Sequence, residues 1–123
     1  MADLVTSIAA EVVFDVSLTG VGQQPISSNF PTLWISPGVA SITVSLAVVN
    51  NSTANMPAFA NPPISTSILN PPISHSIINP TTFVLVDNNE TEEQQTIPYS
   101  VLVEFGGQVF KHDPVIINEP PGG

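Results

Sequence analysis

The densest set of metal-capable side chains is the run Asp87-Asn-Asn-Glu90-Thr-Glu92-Glu93, four carboxylates and two amides in seven residues. Calcium takes about six to eight hard oxygen ligands, and such a run supplies some of them. The spacing has neither the central Gly nor the terminal bidentate Glu of an EF-hand, so it matches no calcium motif. A solvated acidic loop is the simpler reading, because it lends solubility to a chain otherwise poor in charge. Asp87, Glu90, Glu92 and Glu93 are therefore the metal candidates, and no cofactor-binding motif is present.

Acid–base chemistry has one foothold. His112 stands between Lys111 and Asp113, far from the other histidine, His75. Adjacent residues on a strand point to opposite faces, so His112 and Asp113 are not expected to pair, and Asp113-Pro114 reads as a turn. No serine lies in a Gly-x-Ser-x-Gly elbow and no histidine spacing suits a metal. The sequence thus predicts no catalytic residue and a non-enzymatic protein. Trp34, with Phe59, Phe105 and Phe110, is the candidate for a sugar-stacking platform, although a lone Trp in a sandwich strand is expected in the core. Asn50, Asn51 and Asn89 each open an N-x-Ser/Thr glycosylation pattern.

Composition narrows the partners. Charged residues make up 9% of the 123, well under the roughly 25% usual for a soluble domain. Lys111 is the only Lys or Arg against ten carboxylates, for a net charge of −9. Nucleic-acid binding needs basic side chains to displace counterions from phosphates, so a nucleic-acid partner is excluded. Anionic membrane surfaces are disfavoured likewise, and no run approaches the ~18 apolar residues of a membrane-spanning helix. Without cysteine there is no disulfide framework and no thiolate chemistry. Asp3 stands where a secretory signal carries positive charge, and Glu11 interrupts the apolar stretch behind it. The expectation is no Sec-type signal, hence a cytoplasmic location or export by a signal-independent route.

The elements available to position these groups are strands. Val12, Phe14, Val16 and Leu18 alternate with polar or smaller neighbours, as do Ile42, Val44, Leu46 and Val48. Tyr99, Val101, Val103 and Phe105 form a third such face, and Gly106-Gly107 is a two-residue hairpin connection. Val16, Ile42, Val44, Leu46, Val101 and Val103 are the expected core. Turn signals fall at the 8–12-residue spacing of sandwiches. The chain is expected to be all-β: one domain over residues 1–123, an immunoglobulin-like antiparallel β-sandwich of about 7–9 short strands, with a polar tail from about residue 118.

The stretch Phe59-Ala-Asn-Pro-Pro-Ile64, the Ser-Pro-Gly turn before Ile42-Thr-Val44-Ser-Leu46, and the ending YSVLVEFGGQVFKHDPVIINEPP resemble short bacterial Ig-like proteins of unknown function. Those also close on a hairpin, an Asp-Pro, a brief apolar strand and Asn-x-Pro-Pro. The resemblance spans about the last two-thirds of the chain. It implies the fold and brings no catalytic residue with it.

Asn-Pro-Pro-Ile-Ser-Thr-Ser-Ile-Leu, from Asn61, is followed at once by Asn-Pro-Pro-Ile-Ser-His-Ser-Ile-Ile. A solenoid needs more copies than two and a fragment, so the repeat reads as two half-buried strands bracketed by prolines that guard an edge. The N-terminal segment Leu4 to Val13 has no proline and little charge. It reads either as an edge strand of its own domain or as a strand added to a neighbour's sheet. Together these features predict a structural or protein-interaction module, with itself as a candidate partner through strand edges. The alternative is a lectin-like, calcium-assisted carbohydrate binder using Trp34 and the acidic run.

Overall fold

A computed structural model describes residues 7–18, 25–50 and 56–121. Strands form where apolar and polar residues alternate. β1 (Ser7–Asp15) turns Ala10, Val12 and Phe14 inward, and β4 (Gly38–Val49) does so with Ala40, Ile42 and Val44. The others are β2 (Ile26–Ser28), β3 (Thr32–Ile35), β5 (Ala58–Ser65), β6 (Ile73–Asn79), β7 (Thr82–Asn89), β8 (Gln95–Pro98), β9 (Ser100–Phe105), β10 (Gln108–His112) and β11 (Val115–Asn118). Apart from a 3-10 turn at Val16–Leu18, the described chain is all-β.

One five-stranded sheet runs β2-β1-β4-β7-β6, and two three-stranded sheets run β10-β9-β5 and β3-β11-β8. The small sheets share one long hairpin, broken near Pro98 and Pro114, where Tyr99 N–H donates to Pro114 O at 3.2 Å. Proline has no donor for a ladder, so the hairpin changes neighbours at these residues. β11 stays beside β8 of the other arm and takes β3 as its second neighbour, while β9 takes β5. Aromatic contacts join the layers. Phe59 of β5 meets Phe83 of β7 edge-on at 4.8 Å, and Phe14 of β1 meets Phe110 and Phe105 of the hairpin at 5.3 and 5.7 Å. Buried side chains from all three sheets form one apolar core, a sandwich-like arrangement.

Two pairings depart from the antiparallel expectation: β1 lies parallel to β4, and β3 parallel to β11. After β1 the chain reverses into β2, crosses to β3 in the other layer and reverses again, so β4 re-enters beside β1 in the same direction. The β1–β4 ladder spans nine residue pairs, Ser7 to Asp15. The N-terminal strand is thus used within its own domain from Ser7 onward, while Leu4 to Thr6 lie outside the described residues.

Ile42, Val44, Val101 and Val103 are core residues as expected, but Val16 and Leu46 are only half-buried at its margin. Alternation stops at Asp15, whose Oδ1 accepts from Ser17 N–H, Ser17 Oγ and Asn50 Nδ2 and so turns the chain. These bonds, Asn50's first, hold the Asp15 carboxyl below its ordinary pKa. Leu46 lies past the end of the β4–β7 ladder, which closes at Ser45 and Thr82, so one flank has no strand beside it.

The two repeat copies fold differently, against the expectation of two like strands. In the first, Asn61-Pro-Pro63 sits inside β5 at a register shift, and the strand ends at Ser65. β5 is an edge strand, which tolerates residues that cannot donate. In the second, Asn70-Pro-Pro72 is loop, and β6 follows. A third Asn-Pro makes the β6–β7 turn, where Asn79 Oδ1 accepts from Thr81 N–H at 2.9 Å. Gly106 and Gly107, at φ of 61° and 80°, supply the left-handed backbone of the tight β9–β10 turn. At the other terminus the expected tail begins later than residue 118. Asn118 is fully buried at the end of β11, and Glu119 N–H donates to Ile35 O.

Candidate functional site

The four metal candidates do not come together. β7 continues through the first half of the acidic run, and the alternation Phe83, Leu85, Asp87, Asn89 carries Asp87 into the interior, fully buried. Asp87 is therefore not part of a solvated loop. Its Oδ1 accepts from Asn118 Nδ2 at 3.1 Å, while Oδ2 has no hydrogen-bond partner. Burial raises its pKa, against the smaller opposing effect of the Asn118 bond. Glu90, Glu92 and Glu93 are exposed, and no group of three or more His, Asp or Glu among the described residues is placed to hold a metal.

His112 ends β10 half-buried, with Nε2 unpartnered. Desolvation lowers its pKa, and the charge of Asp113 opposes that. Asp113 bonds elsewhere, its Oδ1 accepting from Ser100 Oγ at 2.7 Å. Thr66, Tyr99, Ser100 and Asp113 line a shallow concavity of about 410 Å³. Ser100 thus meets a carboxylate directly, without an imidazole to take its proton. Of the glycosylation patterns, Asn51 lies outside the described residues, and Asn50 Nδ2 is bonded to Asp15. Asn89 is buried, with Nδ2 donating to Ile35 O and Glu119 O at 2.9 Å each.

The aromatic platform separates into parts. Phe59, Phe105 and Phe110 pack on Phe83 and Phe14 between the layers, whereas Trp34 is 57% exposed. Trp34 is not the core residue expected of a lone sandwich tryptophan. It faces outward on β3, opposite Ile117 of β11 and in row with Thr96 of β8.

The most open element is β6. It ends the five-stranded sheet, and every residue from Ser74 to Asn79 is exposed. Ile77, expected on the buried face of a half-buried strand, is 47% exposed, and Ile78 beside it is 61% exposed. Ile77 pairs with buried Phe83 and so shares its face, but it lies at the sheet margin, past the cover of the opposite layer. Asn88 N–H donates to Pro72 O, and Leu46 N–H to Thr81 O. Hydrogen-bonded pairs alternate along antiparallel ladders, so both bonds require Ser74 and Ser76 to bond to β7. The backbone N–H and C=O groups of Ile73, His75 and Ile77 then point to the free edge. Prolines stand only at its ends, Pro72 and Pro80. No Asp, Glu, Lys or Arg occurs between Asp15 and Asp87, so the edge lies in a charge-free span.

The sequence points to an edge in this repeat but to one guarded by prolines, with its isoleucine face covered; the structure leaves Ser74 to Asn79 open. No family model matches the chain, and a search of curated proteins finds no match. No helix among the described residues is long and apolar enough to cross a membrane.

Proposed function

We propose that the chain is a non-enzymatic, immunoglobulin-like module that binds protein by accepting an extended strand along β6. The observation that carries this reading is the exposed, uncharged edge from Ser74 to Asn79, with its outward-facing backbone groups. Natural edges are usually blunted by Lys, Pro, bulges or a covering loop. β5 is blunted in this way by Pro62, Pro63 and its register shift, whereas β6 is regular from Ile73 to Ile77. Main-chain bonds at such an edge supply affinity, and alternate side chains supply selectivity.

Strand order supports the immunoglobulin-like part. That arrangement places strands B, E and D in one sheet and C, F and G in the other. Taking β4, β5, β6 and β7 as B to E, and the hairpin arms β8–β9 and β10–β11 as F and G, gives β4-β7-β6 and β5-β9-β10. The parallel β1 is the departure. Fluorescence anisotropy with labelled, uncharged decapeptides of alternating Ile/Val and Ser/Thr tests the edge. Wild type should bind one saturably and His75→Pro should not, since proline removes an outward N–H. No binding to any such peptide overturns the reading.

Exposure of Trp34 favours a second reading, a carbohydrate platform on the outer face of β3 and β11. A glycan array with and without calcium separates the two. Glycan retention lost in a folded Trp34→Ala protein supports the platform.

A further inference from the structure

We infer that the strand accepted at the β6 edge is β6 of a second copy, running antiparallel about a two-fold axis through His75. The inference rests on the edge reading above and adds the partner and the register.

The strand is a palindrome where it is regular: Ile73-Ser74-His75-Ser76-Ile77 reads the same in both directions. Antiparallel self-pairing about its centre sets Ile73 opposite Ile77 of the partner, Ser74 opposite Ser76, and His75 opposite itself. Like residues then meet in every cross-strand pair, Ile on Ile and Ser on Ser. These are the apolar and hydroxyl pairings that stabilise neighbouring strands. A one-residue slip in either direction would set His75 against a serine and an isoleucine against a serine, so the palindrome also fixes the register.

Backbone direction agrees with this centre. Ile73, His75 and Ile77 are the residues whose N–H and C=O groups face outward, and they are the ones the two-fold places opposite one another. Each such pair exchanges two bonds, about six across the interface. The ladder is bounded, because Ile78 falls in the register shift before Asn79, and Pro71, the next residue in the outward-facing alternation, has no N–H to give. Two five-stranded sheets would then join as one continuous sheet.

Charge selects the same partner. Two chains of net charge −9 repel wherever their carboxylates approach. β6 lies within the charge-free span, and Asp87, opposite Ile73, is buried. A cationic partner would instead be drawn to exposed Glu90, Glu92 and Glu93. Self-pairing should also tighten as salt screens the residual repulsion.

Sedimentation velocity from low to high micromolar concentration tests the inference on wild type, His75→Pro and Ile77→Lys. Wild type should pass from monomer to dimer mass, more readily at high salt. His75→Pro removes an outward N–H while sparing the bonds of Ser74 and Ser76 to β7, and Ile77→Lys replaces the Ile77–Ile73 apolar pair with a charge against isoleucine. Both should weaken dimerisation at least tenfold, with folding checked by circular dichroism. A wild-type monomer at every concentration that still binds uncharged peptides overturns the second-copy partner and leaves the edge reading intact. A monomer that binds no peptide overturns both. Dimers that persist equally in both variants place the contact elsewhere and overturn the inference.

Discussion

Replacing Asp87 with Asn should stabilise the protein at neutral pH, and by an amount that depends on pH. Asp87 is fully buried on β7, opposite Ala40 and Ile73. It accepts one bond from Asn118 Nδ2, while its own Oδ2 and Asn118 Oδ1 are both buried without partners. The one basic side chain, Lys111, is exposed on β10. Burial therefore holds the carboxyl pKa above its ordinary value of 3.8. With the folded value raised, the group's stability is fully present below the unfolded value and lost as pH rises through the folded one. Asp87→Asn keeps the shape, cannot ionise, and offers Asn118 Oδ1 a donor. An unpaired buried polar group costs about 1–3 kcal/mol, so the variant should exceed wild type by about that much at pH 8. The gap should shrink toward acid. Urea unfolding followed by circular dichroism across this range measures it, since carboxylates common to both proteins cancel. A pH-independent gap, or a wild type more stable at pH 8, would refute the reasoning.

Ile42→Ala, deep in the core, should cost about 2–5 kcal/mol in urea unfolding, and Leu46→Ala, at the margin, less than half as much. Gly107→Ala meets open space, so its cost should be the left-handed backbone alone, about 1–2 kcal/mol. Millimolar calcium should leave the melting temperature unchanged, because Asp87 points away from the exposed glutamates. A site filled at 100 times its Kd would add about 2.7 kcal/mol and would be plain in the scan.

What the sequence carried was local. Alternation located the inward faces of β4 and β9, and Gly106-Gly107 located the hairpin between β9 and β10. The same period continues through Phe83, Leu85, Asp87 and Asn89, yet the carboxylate there read as loop because charge outweighed pattern. Alternation identifies which residues share a face but not whether a second layer covers it. Ile77 is exposed for that reason, while Trp34, between buried Leu33 and Ile35, lies on the outer face of β3. Parallel pairing of β1 with β4 depends on where the chain crosses between layers, about which neither strand's residues carry a signal. The repeat misled for a related reason. Identical Asn-Pro-Pro triplets fall in a strand at Asn61 and in a loop at Asn70, and the neighbouring strands decide which.

Residue-resolved amide hydrogen exchange along β6 tests the open edge most directly. In dilute protein the amides of Ser74 and Ser76, bonded to β7, should be protected, while those of His75 and Ile77 exchange near the rate of an unstructured chain. At high concentration His75 and Ile77 should gain protection as the second copy closes over them. Protection of His75 and Ile77 in the dilute monomer would mean that the edge is already covered, and would contradict the account.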